Sequence, residues 1–208
     1  MPADFSSRIA EGRGWSDHAR QPTVALVPDI YWRIQRDLNL GNGEDPDTRQ
    51  KAVDLSNRFD EQLGDSDLRA ALNWLHADSG VPGRPAVLGF CLGGRLAVRV
   101  AAAAQPSCVV SMYGVKLDAL ATDIERTECP MQFHFGENDN HNPMATIDKV
   151  RSIVKGRGES ADEFFTYPGV EHAFYNRFRL DRFNEEAHRS ARSRVLVFLQ
   201  RNLGSPQN

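Results

Sequence analysis

The sequence predicts a single α/β domain in which a mostly parallel sheet is flanked by helices. Short apolar segments alternate with helical patterns along the chain, and each apolar segment is nearly continuous, as in strands that are buried on both faces. The 208 residues suit one domain, and the content of 40% hydrophobic and 25% charged residues is typical of globular proteins.

Strands are predicted where Val, Leu, Phe or Tyr cluster between Gly or Pro residues. In chain order these segments are 23–27, 85–90, 107–113, 131–135 and 163–167. Helices are predicted from apolar stripes at helical spacing, with Ser66 as an N-cap and Pro143 in a first turn. They cover residues 47–63, 66–77, 92–104, 143–154 and 184–203. We expect the α/β domain to span 23–203, with an irregular or remodelled segment at 1–22 and a tail at 204–208.

Composition excludes several classes of function. The net charge is −3, from 25 basic and 28 acidic residues, so nucleic acid and anionic membrane surfaces are not expected partners. The longest apolar run, at 98–104, is far shorter than a membrane span, and the N-terminus has no secretory pattern. Three cysteines in a chain of this size argue against a disulfide framework and favour the cytoplasm.

The segment Gly-Phe-Cys-Leu-Gly-Gly at 89–94 follows a predicted strand and begins a predicted helix. It has the form of a nucleophile elbow, G-x-nucleophile-x-G, with Cys91 where serine is commoner. Glycines are expected on both sides because side chains there would collide. The helix N-terminus favours a thiolate, and the N–H of Leu92 points to where an oxyanion would form. We interpret Cys91 as the nucleophile, with a buried, inert core cysteine as the alternative. Cys108 and Cys129 are interpreted as buried, inert cysteines.

A cysteine nucleophile needs a base, and the base needs a group that orients it. In an open parallel sheet, such groups lie on loops after the C-terminal ends of strands. Asp139 follows the 131–135 strand, and His172 follows the 163–167 strand. The order nucleophile, acid, histidine is that of α/β-hydrolases, with Glu137 as the alternative acid.

The other histidines have structural interpretations. His18, His76 and His188 are expected to be solvated, His134 to be a satisfied core residue, and His141 to be a loop residue or a metal ligand. The sequence has no His-x-His, HExxH or Cys-x-x-Cys spacing, so we expect neither a metal nor another cofactor.

The motifs GFCLGG, HFGENDN and YPGVEHAF, together with VALVPDIYWR, resemble those of the dienelactone hydrolases, or carboxymethylenebutenolidases. The resemblance runs over residues 23–203. It implies an α/β-hydrolase fold and hydrolysis of a lactone ring by a Cys-His-Asp triad. By this match Cys91, His172 and Asp139 take the three roles.

The resemblance also implies that arginines bind a substrate carboxylate, for which a fork-shaped guanidinium is suited. The segment 45–50 matches the stretch that supplies the first of them, so Arg49 is a candidate, with a solvated helix residue as the alternative. The second family arginine falls on Asn176, with Arg177 beside it. Three aromatic residues near predicted strand ends are candidates for the pocket wall or for ordinary packing: Tyr31, Trp32 and Phe90.

The chain departs from the family pattern upstream of the 23–27 strand. The family has a strand and a helix there, and a loop that donates the second oxyanion N–H and carries a glutamate in contact with the resting cysteine. Residues 1–22 show no run of strand character and no match for that glutamate. Three arrangements are open: the strands 23–27 and 85–90 pair directly, another chain supplies a strand, or, as we expect, the natural protein starts further upstream.

The sequence therefore predicts a cytoplasmic α/β-hydrolase, apparently without the usual N-terminal strands, that cleaves a small ester or lactone, with a carboxylate-bearing substrate as one option. It is expected to act as a monomer or a small homo-oligomer. The alternative is a hydrolase-fold protein with little turnover that acts as a binding or interaction module, which the unmatched upstream strand favours.

Overall fold

The computed structural model describes residues 8–11, 24–41, 45–77, 80, 83–158 and 160–203. The strands within these residues are β1 (Arg8–Glu11), β2 (Val24–Val27), β3 (Val87–Phe90), β4 (Val109–Met112), β5 (Met131–Gly136) and β6 (Glu163–Tyr167). The helices are α1 (Pro46–Arg58), α2 (Glu61–Ala77), α3 (Leu92–Ala104), α4 (Ala121–Arg126), α5 (Met144–Gly156) and α6 (Glu185–Asn202), with a short 3-10 turn at Leu117–Leu120.

The centre of the molecule is a parallel sheet with the strand order β3-β4-β5-β6. One hydrophobic core joins this sheet to α3, α4 and α5, and a second core joins it to α6. Because helices cover both faces, β4 and β5 are buried along their whole length. The sequence of β4 is largely apolar, whereas in β5 the buried polar residues Gln132 and His134 alternate with apolar ones. The predicted fold class is confirmed, and the five predicted strands are present with ends moved by at most two residues.

The predicted boundary between the first two helices is wrong. Phe59 and Asp60 separate α1 from α2, and Asp60 Oδ1 accepts the backbone N–H groups of Gln62 and Leu63 at 2.9 and 3.0 Å. Asp60 therefore caps α2, and Ser66 lies inside this helix. The sequence missed this break because the apolar stripe continues through it. None of the helices in the described ranges has the length and apolar character needed to cross a bilayer.

The N-terminal region forms a separate antiparallel pair, in which β1 lies beside β2 with Ile9 opposite Leu26. The expectation that residues 1–22 carry no strand is thus wrong for Arg8–Glu11, because four residues are too few to show a pattern. In the described part of the chain, β2 pairs only with β1, and β3 pairs only with β4. Direct pairing of the 23–27 strand with the elbow strand is therefore not observed. The rest of the predicted 1–22 segment and the whole of the predicted tail at 204–208 lie outside the described residues.

The helix α2 is attached to α3 by ion pairs. Arg95 Nε lies 2.6 Å from Glu61 Oε1, and Arg99 NH2 lies 2.6 Å from Asp65 Oδ2. Arg95 also donates to the carbonyl oxygen of Lys116 at 2.6 Å. These bonds hold the N-terminal helices against the helix that begins at the elbow.

Candidate active site

Cys91 lies in the sharp turn between β3 and α3, with φ of 54° and ψ of −116°. This left-handed conformation is uncommon for a residue other than glycine and is typical of strained functional positions. The turn is held on both sides: the Cys91 N–H donates to the carbonyl oxygen of Met112 at 3.0 Å, and the Cys91 carbonyl accepts from Arg95 N at 3.2 Å. The sulfur does not cap α3, and the positive end of the helix dipole lies beside it, where Leu92 is the first helical residue.

Only one of the two glycines that flank the elbow is needed to avoid a steric clash. A Cβ on Gly89 would lie 2.0 Å from the carbonyl oxygen of Gly93, which no rearrangement of side chains could relieve. A Cβ on Gly93 would meet no heavy atom within 4 Å. The expectation that both glycines avoid a clash is therefore correct for Gly89 and wrong for Gly93.

Two loops meet at the carboxyl end of the sheet and carry the predicted acid and base. The N–H of Glu137 donates to the carbonyl oxygen of Tyr167 at 3.0 Å, and the N–H of Asn138 donates to that of Val170 at 2.9 Å. A Cβ on Gly136 would lie 2.2 Å from the Val170 oxygen, so this glycine lets the loops approach. The β5 and β6 loops are thus joined by their backbones directly beside Asp139 and His172.

Asp139 and His172 form a buried hydrogen-bonded pair. His172 Nδ1 lies 2.7 Å from Asp139 Oδ2, and the two residues are 5% and 2% exposed. Burial opposes ionisation of Asp139, but the hydrogen bond from His172 and those from Asn142 and His141 prevail and lower the pKa of the carboxyl group. The carboxylate is therefore ionised and fixes the imidazole with Nδ1 as the donor.

The other ring nitrogen of His172, Nε2, is available for proton exchange with Cys91. Nε2 is buried and makes no hydrogen bond to a described residue. Burial opposes the charge on His172, but the bond to Asp139 and the interaction with the Cys91 sulfur outweigh it and raise the pKa of His172 to about 9. The site therefore favours a proton on His172.

Aromatic rings enclose His172 on two sides. The Tyr113 ring meets the imidazole edge to face with 4.9 Å between ring centroids, and the His141 ring lies 4.5 Å away. Tyr113 has φ of 40°, and burial, followed by the charge of Cys91, raises the pKa of its phenol. These contacts restrict rotation of the imidazole.

The predicted pocket residues occupy different surroundings. Tyr31 is half-buried, and burial together with the charge of Cys91 raises the pKa of its phenol, so it lies on the Cys91 side of the site. Trp32 is turned towards α2, where its Nε1 donates to Asp67 at 2.8 Å. Phe90 is 42% exposed, with its ring 6.1 Å from that of Tyr113.

The two candidate carboxylate-binding arginines are both exposed. Arg49 lies in the first turn of α1, and its N–H donates to the Asp45 carbonyl at 3.1 Å. Arg177 follows the His172 loop. Burial raises the pKa of Tyr175, which the nearby charge of Arg177 opposes, and burial lowers the pKa of His188, to which that charge adds.

The structure confirms one prediction for the remaining histidines and corrects another. His134 is a satisfied core residue, as predicted, because its ring nitrogens bond Tyr167 Oη at 2.8 Å and Gln132 Oε1 at 2.9 Å. The expectation for His188 is wrong: it is 8% exposed, and its Nδ1 lies 3.2 Å from the Tyr175 carbonyl oxygen. His76 is exposed, and His18 lies outside the described residues.

The other two cysteines are buried, and burial raises the pKa of Cys108 to about 12 and that of Cys129 to about 11. Both are therefore poor nucleophiles, which agrees with their structural interpretation. No cluster of three or more His, Cys, Asp or Glu residues that could hold a metal ion occurs in the described ranges.

Sequence reasoning missed Asn142, which is 0% exposed and donates from Nδ2 to Asp139 Oδ2 at 2.9 Å. The available signal was its position three residues after the predicted acid and directly before Pro143, a spacing at which a turn brings side chains together. The role of Tyr113 as a wall of the histidine site had no visible signal, because strand-end aromatic residues usually only pack.

Comparison with known proteins gives consistent matches. The model of the dienelactone hydrolase family matches residues 16–203. Carboxymethylenebutenolidase 1 from Cupriavidus pinatubonensis is 33% identical over 177 residues, which are 84% of this chain and 72% of that protein. A carboxymethylenebutenolidase from a Pseudomonas species is 30% identical over 183 residues, or 88% and 75% of the two chains. The crystal structure of dienelactone hydrolase from Anabaena variabilis superposes with a TM-score of 0.58 at 19% identity and covers 75% of this chain and 68% of its own. This last likeness concerns the fold.

Proposed function

This chain belongs to the dienelactone hydrolase family of ester and lactone hydrolases, and we propose that it cleaves its substrate through Cys91 as nucleophile, His172 as base and Asp139 as orienting acid. The observation that carries the proposal is the buried Asp139–His172 hydrogen bond of 2.7 Å, with the second histidine nitrogen free of other partners and coupled to the Cys91 sulfur.

The electrostatics support a protonated imidazole beside the nucleophile. The raised pKa of His172 means that the imidazole holds a proton at neutral pH, which it can donate to the leaving oxygen. The Cys91 sulfur also stands at the N-terminal end of the 13-residue α3, where the helix dipole stabilises negative charge.

The proposed reaction has two halves. The Cys91 sulfur attacks the acyl carbon, the carbonyl electrons move to the oxygen, and the Leu92 N–H donates to this oxyanion. When the intermediate collapses, the ring C–O bond breaks, and the leaving oxygen takes the proton from His172. A thioester remains on Cys91. His172 then removes a proton from water, which attacks the thioester and releases the carboxylic acid, while the sulfur recovers its starting state.

The substrate is proposed to be a small ester or lactone, with a carboxylate-bearing lactone as the finer hypothesis. Arg49 and Arg177 are the residues available for the carboxylate, and both are exposed to solvent. Tyr31 and Phe90 would contact the remainder of the substrate, since Tyr31 lies on the Cys91 side and Phe90 directly precedes the nucleophile.

The test is turnover of a panel of activated esters, neutral lactones and carboxylate-bearing lactones by the wild type, Cys91→Ala and the control Cys108→Ala. We expect Cys91→Ala to remove activity and Cys108→Ala to retain it after correction for the folded fraction. In the folded wild type, iodoacetamide should modify Cys91 faster than the buried Cys108 and Cys129, as read by peptide mass spectrometry. Equal modification of all three, or activity retained by Cys91→Ala, would contradict the nucleophile.

The arginine hypothesis uses the same panel. Arg49→Ala or Arg177→Ala should weaken the apparent affinity for the carboxylate-bearing lactone by the equivalent of about 1.5–3 kcal/mol and leave the neutral lactone unchanged. Equal losses on both substrates would contradict carboxylate recognition. No turnover of any panel member would favour a binding module over the hydrolase.

A further inference from the structure

Asn142 contacts the proposed acid more closely than any role in folding requires. It lies in the turn between β5 and α5 and is 0% exposed. Its side-chain Nδ2 donates to Asp139 Oδ2 at 2.9 Å, and its backbone N–H donates to Asp139 Oδ1 at 3.2 Å. One residue thus holds both oxygens of the carboxylate.

The two oxygens of Asp139 have different partners. Oδ1 accepts the backbone N–H groups of His141, at 2.8 Å, and of Asn142. Oδ2 accepts His172 Nδ1 and the Asn142 amide. The backbone therefore fixes one oxygen whatever side chain follows. Among the described residues, the oxygen that faces His172 is held, apart from His172 itself, only by the amide of Asn142.

One atom of the same amide lacks a hydrogen-bond partner. Asn142 Oδ1 is buried and has no hydrogen-bond partner among the described residues. A buried acceptor without a partner destabilises the folded state, and an apolar side chain of the same shape would avoid this cost. The bond from Nδ2 to Asp139 Oδ2 is the interaction that offsets this cost, and it is the one that an apolar replacement would lose.

We propose that Asn142 is a positioning residue for hydrolysis: its amide prevents rotation of the Asp139 carboxylate, so that Oδ2 stays aimed at His172 Nδ1. This inference rests on the proposed triad. Through Asp139 the amide keeps the imidazole in the tautomer and orientation that leave Nε2 towards Cys91.

Rotation of the Asp139 carboxylate would change the pKa of His172 in a definite direction. The groups that face its imidazole are Asp139, Cys91, His141 and Tyr113. Of these, Asp139 and Cys91 favour the charged ring, while the positive form of His141 would oppose it. If the carboxylate rotates away, one of the two favourable partners weakens, and the pKa of His172 falls.

The experiment compares the wild type with Asn142→Leu and Asn142→Ala, using Asn140→Ala as the matched control. Asn140 is an exposed residue of the same turn. Three quantities are measured on the folded full chain: kcat and KM for an activated ester, the His172 titration by NMR, and the melting temperature.

We expect Asn142→Leu to lower kcat by about 10- to 100-fold with KM little changed, the range for loss of a hydrogen bond to a charged group. The apparent pKa of His172 should fall by about one unit. The melting temperature reports the balance between the lost bond to Asp139 and the removal of the unpaired Oδ1, so kcat is compared at equal folded fraction. Asn142→Ala should show the same change in kcat and pKa even if the smaller side chain lowers the melting temperature. Asn140→Ala should resemble the wild type in all three.

A His172 titration that is the same in the wild type and both Asn142 variants would overturn the positioning role, as would a loss of kcat that only follows the loss of folded protein. The NMR titration needs no turnover. A wild-type protein that hydrolyses nothing would therefore defeat the proposed function, while the titration would still decide the role of Asn142.

Discussion

Two regions of the molecule are held together by different interactions. From β3 to α6 the interior is built mainly of apolar side chains, and the rings of Phe133, Phe135 and Phe198 are 0% exposed. From β2 to α2 the buried apolar side chains among the described residues are Leu55 and Ala71, and both α1 and α2 are mostly exposed. Ion pairs from Arg95 and Arg99 on α3 to Glu61 and Asp65 on α2 attach this second region to the first.

The candidate site lies across this division. Asp139 and His172 belong to the first region, where backbone hydrogen bonds and packed aromatic rings fix them. Cys91 stands at its border, because β3 is partly exposed while β4 and β5 are fully buried. The difference indicates that the acid and base are preorganised by a core, whereas the surroundings of the sulfur on the Tyr31 side depend on a region held mainly by charges.

The largest expected effect is the loss of kcat when the acid or the base, both in the first region, is removed. His172→Ala and Asp139→Asn should each lower kcat by roughly 10³- to 10⁴-fold, because the pair acts as a unit on Cys91. The double variant should be little worse than His172→Ala alone. Steady-state kinetics on an activated ester, with thermal melting to confirm folding, measure this.

Glu137→Gln is the control, since Glu137 lies on the same loop and was the alternative acid from the sequence. It should retain most of the activity. A greater loss for Glu137→Gln than for Asp139→Asn would show that the hydrogen-bonded carboxylate is not the functional one.

The sequence predicted the first region better than the second for a physical reason. Buried parallel strands and a glycine elbow impose strong patterns, so β3 to β6, Cys91, Asp139 and His172 could be placed from apolar runs and loop positions. The second region leaves weak patterns. The helix break at Asp60 depends on a capping bond, and the strand Arg8–Glu11 depends on backbone pairing, neither of which a hydrophobic stripe reveals. Likewise, the burial of His188 arises from Tyr175 and Phe183, which fold over it from a loop.

The next effect is the pH dependence of the free energy of unfolding, which is expected to arise from His172 in the first region. The pKa of His172 is about 9 in the folded protein, against about 6.5 in an unfolded chain. Because the folded-state pKa is the higher one, this stabilisation is fully present below pH 6.5 and is lost as pH rises towards 9. The free energy of unfolding should therefore fall over this window by at most roughly 3 kcal/mol more in the wild type than in His172→Gln.

Urea unfolding at several pH values between 6.5 and 9 tests this difference. The ion pairs of the second region join arginines to carboxylates, which do not change protonation in this window, so both proteins share their contribution. Parallel stability curves for the wild type and His172→Gln would show that the buried pair does not hold the extra proton.

The smallest expected effect concerns the ion pair between Arg99 and Asp65, which joins α2 to α3. The two side chains are 19% and 25% exposed, and a double-mutant cycle with Arg99→Ala and Asp65→Ala should give a coupling free energy of about 1 kcal/mol. The cycle is needed because Arg99 also contacts Glu61 at 3.0 Å. At 1 M salt the coupling should fall, since the screening length shrinks to about 3 Å. Arg189 and Glu185 on α6, each 76% exposed, provide the control, with an expected coupling of about 0.3 kcal/mol. A coupling free energy between Arg99 and Asp65 that did not change with salt would indicate that packing, and not charge, holds α2 against α3. The two regions would then not differ in the interactions that hold them.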